Sequence, residues 1–129
     1  TGRVNGDEDG YRIYMSYGMN YTDFRSGWTN NSFKSYKIPA VKRPSRLIIW
    51  ADGVDYMIND NGSQPEKYWS SRESYSSGVV AYRHGGTRRV NANFLDGHCE
   101  SLDVNEARYN ASNVERWVSV DKSGVVVIN

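Results

Sequence analysis

The sequence holds a single cysteine, Cys99, so no disulfide can close within the chain and the redox compartment cannot be read from cysteine usage. Histidine is equally scarce, with only His84 and His98. His98 and Cys99 are neighbours, and on a strand neighbours point to opposite faces, which argues against a shared zinc ion. Neither sign of charge dominates. Sixteen Lys+Arg stand against fifteen Asp+Glu, a formal net charge of +1, so no global field draws nucleic acid or an anionic membrane. No apolar run is long enough to span a bilayer, and no signal-peptide pattern is present. The chain opens on Thr1 rather than Met and is therefore read as a fragment or processed form. The lack of a membrane segment then describes this stretch alone.

What is abundant is aromatic and turn-forming. Ten Tyr, four Trp and three Phe accompany twelve Gly, and mean hydropathy is −0.73. Such a composition suits short strands joined by many loops rather than a helical bundle. The 129 residues are read as one domain, 1–129, able to bury a core without staples. The expected class is α+β, mainly β: an antiparallel sheet with long irregular loops.

Along the chain, residues 1–10 read as a flexible lead-in. Tyr11–Tyr17 alternates and is read as a strand, closed by Gly18-Met19-Asn20. Residues 21–37 form a long loop carrying Trp28 and Phe33, with a short strand at Ser35–Ile38 stopped by Pro39. Leu47–Trp50 is the most apolar run and reads as a central strand buried on both faces, with Trp50 in the core. Residues 53–78 read as an insertion-like loop with a turn at Asn61-Gly62 and a helical turn near Glu66–Ser70. Val79–Tyr82, Val90–Leu95 and Cys99–Leu102 are expected strands, the last two joined by an Asp96-Gly97 hairpin. Asp103–Ala107 and Asn113–Val118 suit helical turns, with Asp103 and Ser112 or Asn113 as N-caps. Val125–Ile128 closes the chain as a short strand.

Three blocks carry a more specific signal. The first is Ser16-Tyr17-Gly18-Met19-Asn20. The second is Ile38-Pro39-Ala40-Val41-Lys42-Arg43-Pro44-Ser45-Arg46, running through Leu47–Trp50 into Ala51-Asp52-Gly53. The third runs from Arg83-His84-Gly85-Gly86 through Ala92-Asn93-Phe94-Leu95 to Asp96-Gly97-His98. In this order they resemble bacterial pseudopilin-like proteins, which are processed like type IV prepilins and end in a histidine, a small-residue strand and Asp-Gly-His. Eleven residues separate His84 from Asp96, more than the family's usual spacing, and the extra length falls in Thr87-Arg88-Arg89. The resemblance implies the exported globular head of a type II secretion or pilus-like subunit. That head would be anchored at the cell envelope through an N-terminal hydrophobic helix that this sequence lacks. It further implies partners among other pseudopilin or secretion-system subunits, no nucleic acid and no catalysis.

His84 with Asp96 suits a general-base pair or half a metal site. The plainer reading has His84 bonding a loop carbonyl and ordering the Gly85-Gly86 turn, while Asp96 and Gly97 shape the hairpin before His98. Asp52-Gly53, Asp55 and Asp60, with Asn59 and Asn61, are candidates for calcium, although the spacing from Asp55 to Gly62 lacks the EF-hand pattern. No other cofactor is implied. Lys42, Arg43, Arg46, Arg83, Arg88 and Arg89 read as a solvated loop face rather than a nucleic-acid site. Trp28 and Trp69, placed in loops, are candidate stacking platforms for an extracellular carbohydrate-binding module, the alternative function. A hydrolase reading finds no nucleophile motif and no paired acids of defined separation.

Overall fold

A computed structural model describes residues 17–21, 38–72, 74 and 77–118. Its centre is a five-stranded, mostly antiparallel sheet. The strands are β1 (Tyr17–Asn20), β2 (Ile48–Asp52), β3 (Met57–Ile58), β4 (Arg89–Phe94) and β5 (Cys99–Asp103), arranged β3-β1-β2-β4-β5. Only β1 and β3 run parallel. Two short helices, α1 (Pro65–Ser71) and α2 (Val104–Ala107), and three 3-10 turns complete the described residues. The mixed, mainly antiparallel class expected from composition is the one found.

Strict alternation in β4 explains how the sheet divides space. Val90, Ala92 and Phe94 are buried, while Arg89, Asn91 and Asn93 are half-buried on the other side, as a period of two requires. The buried side joins Ile48, Ala51 and Leu102 to Tyr68 of α1, Val104 and Ala107 of α2, and Trp117 in one core. Trp117 is fully enclosed, with its indole N–H donated to the Ala107 carbonyl at 2.7 Å. Fully buried Asn20 ties β1 into that core. Its Nδ2 donates to the carbonyls of Ile48 (2.9 Å) and Trp117 (3.0 Å).

Several expectations need correction. Trp50 is 43% exposed: a register irregularity separates it from buried Ile48, and it lies across from Asn93 on the half-buried side of β4. The strand expected over Tyr11–Tyr17 lies outside the described residues apart from Tyr17. The residues expected to close it, 18–20, are themselves strand. They bridge β2 and β3, and the backbone passes so close at Gly18 that a β-carbon there would meet Asp55 O at 2.7 Å. Val79–Tyr82 is buried but forms no ladder strand. It makes isolated contacts instead: the amide of Val54 donates to the Val79 carbonyl, and that of Ala81 to the Asp52 carbonyl. The 53–78 stretch is no plain loop, since it contains β3, a 3-10 turn (Asn61–Ser63) and α1. Ile38 opens a 3-10 turn rather than ending a strand. The lead-in, Trp28, Phe33 and Val125–Ile128 fall outside the described residues.

The hairpin and its cap stand where the sequence puts them. Asn93 pairs with Cys99 across the turn, and the Phe94 amide donates to the His98 carbonyl at 2.9 Å. Asp103 caps α2 through a capping box: the Asn105 amide donates to Asp103 Oδ1 (2.9 Å), and the Asp103 amide donates to Glu106 Oε2 (2.7 Å). Asp103→Ala should cost about 1 kcal/mol, read as a lowered urea midpoint; an unchanged midpoint would deny the cap any energetic role. Asn113 precedes its 3-10 turn without capping it. Its side chain instead binds the Arg108 carbonyl and the Asn110 amide.

Candidate functional site

The two histidines lie beyond opposite ends of β4. His84 bridges Arg89 at the start of the strand, and Asp96 and His98 occupy the turn after its end. Six strand residues at the usual rise put roughly 20 Å between those ends, so His84 and Asp96 do not meet. Each has a different partner.

His84 turns to Asp52, at the end of β2. Its Nε2 lies 3.1 Å from Asp52 Oδ2, and the backbone N–H of Asn91 donates to the same oxygen at 2.8 Å. Arg83 Nη1 stands 3.6 Å from Asp52 Oδ1, while Arg83 Nη2 donates to the Gly53 carbonyl at 2.9 Å. The Asp52 side chain is 5% exposed and that of His84 45%. A carboxylate removed from water in this way needs hydrogen bonds and countercharge, and the Arg83-His84 pair with β4 supplies both. Asn91 Nδ2 is also 3.1 Å from His84 Nε2. One ring nitrogen cannot donate to Asp52 and accept from Asn91 together. The consistent assignment puts the proton on Nε2 and turns the Asn91 amide oxygen toward it.

The Gly85-Gly86 turn is present, but the His84 side chain does not order it through a loop carbonyl. The main chain does so: His84 and Arg89 exchange N–H···O bonds of 3.1 and 3.0 Å. Three successive residues, Gly85, Gly86 and Thr87, have φ of +56°, +67° and +67°. Glycine adopts that conformation readily.

At the far turn, His98 stacks on Phe94 with ring centroids 4.4 Å apart and planes 5° from parallel. Its Nδ1 lies 2.5 Å from Asp96 Oδ1 and its Nε2 3.2 Å from Glu100 Oε1. The side-chain hydrogen bond with His98 holds the Asp96 carboxyl below its ordinary value of 3.8. The same bond, helped by Glu100, raises His98 above 6.5. The raised histidine stabilises the turn fully below about pH 6.5 and ceases to as pH rises through its folded value. The lowered aspartate contributes above about pH 4 and ceases to as pH falls through its own. The lock is therefore complete between those limits. In an NMR titration, the His98 ring proton should move with a midpoint above that of the Asp96→Asn variant; identical midpoints would remove the pair.

The remaining candidates are dispersed. Asp55 sits in the bend before β3 with Oδ1 accepting from the Tyr56 amide at 2.8 Å, and its Oδ2 is buried without a hydrogen-bond partner among the described residues. Asp60 precedes the 3-10 turn at Asn61–Ser63, where its carbonyl accepts from Ser63. Among the described residues no three His, Cys, Asp or Glu side chains converge as a metal site. Trp69 is on α1, not in a loop. It packs against the core, donates its indole N–H to the Thr87 carbonyl (2.7 Å) and has the Arg88 guanidinium 5.8 Å from its ring centre. The basic residues divide as well: Arg83 serves Asp52, Arg88 covers Trp69, and Arg89 binds Ser101.

Asp52 is the residue that motif reasoning undervalued. The Ala51-Asp52-Gly53 block was visible in sequence, but its distance along the chain from His84 hid the pairing. No family model, curated protein or solved structure matches the chain.

Proposed function

We propose that this chain is the globular head of a pseudopilin-like subunit, acting by contact within a type II secretion or pilus-like assembly at the cell envelope and not by catalysis. The observation that carries the reading is the meeting of all three sequence blocks at Asp52. Tyr17 of the first block is its cross-strand partner, Asp52 itself belongs to the second, and His84 and Asn91 of the third bind its carboxylate. Residues scattered along the chain are thereby explained as one clasp that closes the sheet. In this reading the histidine of the signature is structural. Its Nε2 is engaged by Asp52 and Asn91, with no serine, threonine or cysteine hydrogen-bonded to the ring among the described residues.

The test is to express the reading frame from its natural start together with a prepilin peptidase. A peptidase-dependent fall in mass and recovery in the membrane fraction are expected. A product of unchanged mass found only in the soluble fraction would overturn the reading.

A second reading has one observation in its favour. Trp50 and Tyr17 are 43% and 52% exposed on the open face of the sheet, and Trp50 is paired with Asn93. An exposed indole beside an amide suits the apolar face and hydroxyls of a sugar. The carbohydrate-binding alternative thereby gains strand aromatics as candidates. A polysaccharide that shifts tryptophan fluorescence in the parent and not in Trp50→Ala would support it. A panel of neutral polysaccharides producing no shift would remove it.

A further inference from the structure

The cleft between the turn at 43–46 and the loop at 111–115 is used by nothing described so far. Its lining includes Arg43, Arg46, Ser112, Asn113 and Glu115, around a cavity of about 310 Å³, at the small end of the usual range for ligand sites. We propose that this cleft binds a doubly charged tetrahedral oxyanion, phosphate or sulfate, on the guanidinium groups of Arg43 and Arg46. The proposal goes beyond the head-domain reading and does not depend on it.

Three observations support the site. First, one carboxylate oxygen serves both cations. Glu115 Oε2 lies 3.5 Å from Arg43 Nη1 and 3.9 Å from Arg46 Nε, well beyond the roughly 2.7–2.9 Å of a charge-assisted hydrogen bond. Second, Arg46 Nε is buried and has no hydrogen-bond partner among the described residues. A buried donor on a charged group is costly to leave unmatched. Third, positive charge is crowded here. Burial first, and the Arg46 charge second, hold the Arg116 guanidinium below the ordinary arginine pKa, against the opposing pull of Glu100 and Glu106.

The ligand class follows from charge and shape. Arg43 and Arg46 keep 54% and 42% of their side-chain surface exposed while Arg46 Nε faces inward, so the ligand is met by the remaining guanidinium nitrogens. Such forks match oxyanions through paired N–H donors. A single carboxylate is already present as Glu115 and leaves one positive charge over. A dianion that displaces it balances both arginines. Ser112 and Asn113 are committed to Asn110 and Arg108, so recognition falls to the arginines.

The test is an amide NMR titration of the whole chain with inorganic phosphate and with sulfate, at constant ionic strength against chloride. Saturable shifts confined to residues 43–46 and 111–116 are expected. Arg46→Gln should weaken binding about tenfold. Glu115→Gln should tighten it several-fold by removing the internal competitor, and Lys67→Gln on α1 should leave it unchanged. Methyl phosphate binding alongside the inorganic ions would assign the site to ester-borne groups. Binding of the inorganic ions alone would assign it to free anions; both uphold the cleft. Shifts that chloride reproduces, or that persist in the Arg43→Gln/Arg46→Gln double variant, would overturn the proposal. If either arginine variant fails to fold, Glu115→Gln still decides: no tightening sinks it.

Discussion

Asp52→Ala is expected to lower stability by about 3–5 kcal/mol, the usual cost of removing one partner from a buried ion pair. Such a loss is a large part of the ~5–15 kcal/mol that holds a domain folded. The substitution removes the carboxylate facing Arg83, whose side chain is 17% exposed, and leaves the Asn91 amide without its acceptor. His84→Ala should cost far less, about 1 kcal/mol, because the half-exposed ring is only one of the partners of Asp52, which keeps the Asn91 N–H and Arg83 when the ring is removed. The ranking matters more than either figure. A clasp predicts that the aspartate dominates and that Asp52→Asn, which keeps an oxygen for the Asn91 N–H, recovers part of the loss. Urea denaturation of the three variants checks it. Equal stabilities for Asp52→Ala and the parent would show that the carboxylate is not a structural fastener. Its burial would then call for a chemical role.

The second large effect is at Gly62. A β-carbon there would stand 1.8 Å from the carbonyl oxygen of Gly78 and 2.4 Å from its carbon. Both are backbone atoms, so no side chain can swing aside to relieve the contact. The Gly78–Val80 segment is itself held: the Asn59 amide donates to Gly78 O at 3.0 Å and the Val80 amide donates to Gly62 O at 3.0 Å. Gly62→Ala should therefore cost about 3 kcal/mol, at the upper end for overpacking. Gly86→Ala is the contrast. Nothing lies within 4 Å of its β-carbon, and the penalty comes only from φ of +67°, about 1 kcal/mol. Thermal melts of the two variants should differ plainly. A Gly62→Ala melt matching that of Gly86→Ala would mean the two backbones separate freely.

Local features of this fold were legible in the sequence. The β4–β5 hairpin followed from alternation and Asp-Gly, the cap of α2 from Asp103, and the helical turn near Glu66–Ser70 from its residues, because each is settled within a few positions. What could not be read depends on which distant segment arrives. Trp50 looks like core in the run Leu47-Ile48-Ile49-Trp50, and only its pairing opposite half-buried Asn93, past the register irregularity, reveals otherwise. Asn61-Gly62 was correctly read as a turn, yet the need for glycine is set by Gly78 and not by the turn's own dihedral angles. The candidate site shows the same limit. His84 and Asp96 share a signature that suggests pairing them, whereas the structure pairs His84 with Asp52 and Asp96 with His98.

The span of the Asn20 hydrogen bond orders events in time. It joins residues 97 positions apart, whereas Arg89 and Ser101 across the β4–β5 hairpin are only 12 apart. Closing the longer loop costs about 2 kcal/mol more chain entropy. The ribbon at 89–103 and the cap behind it can assemble early as a local unit, β1 can join β2 through the shorter Asn20–Ile48 span of 28 residues, and the Asn20–Trp117 bond closes last. A nascent chain leaving the ribosome could seat β1 between β2 and β3 but would leave the second hydrogen bond of Asn20 unmade until Trp117 had emerged.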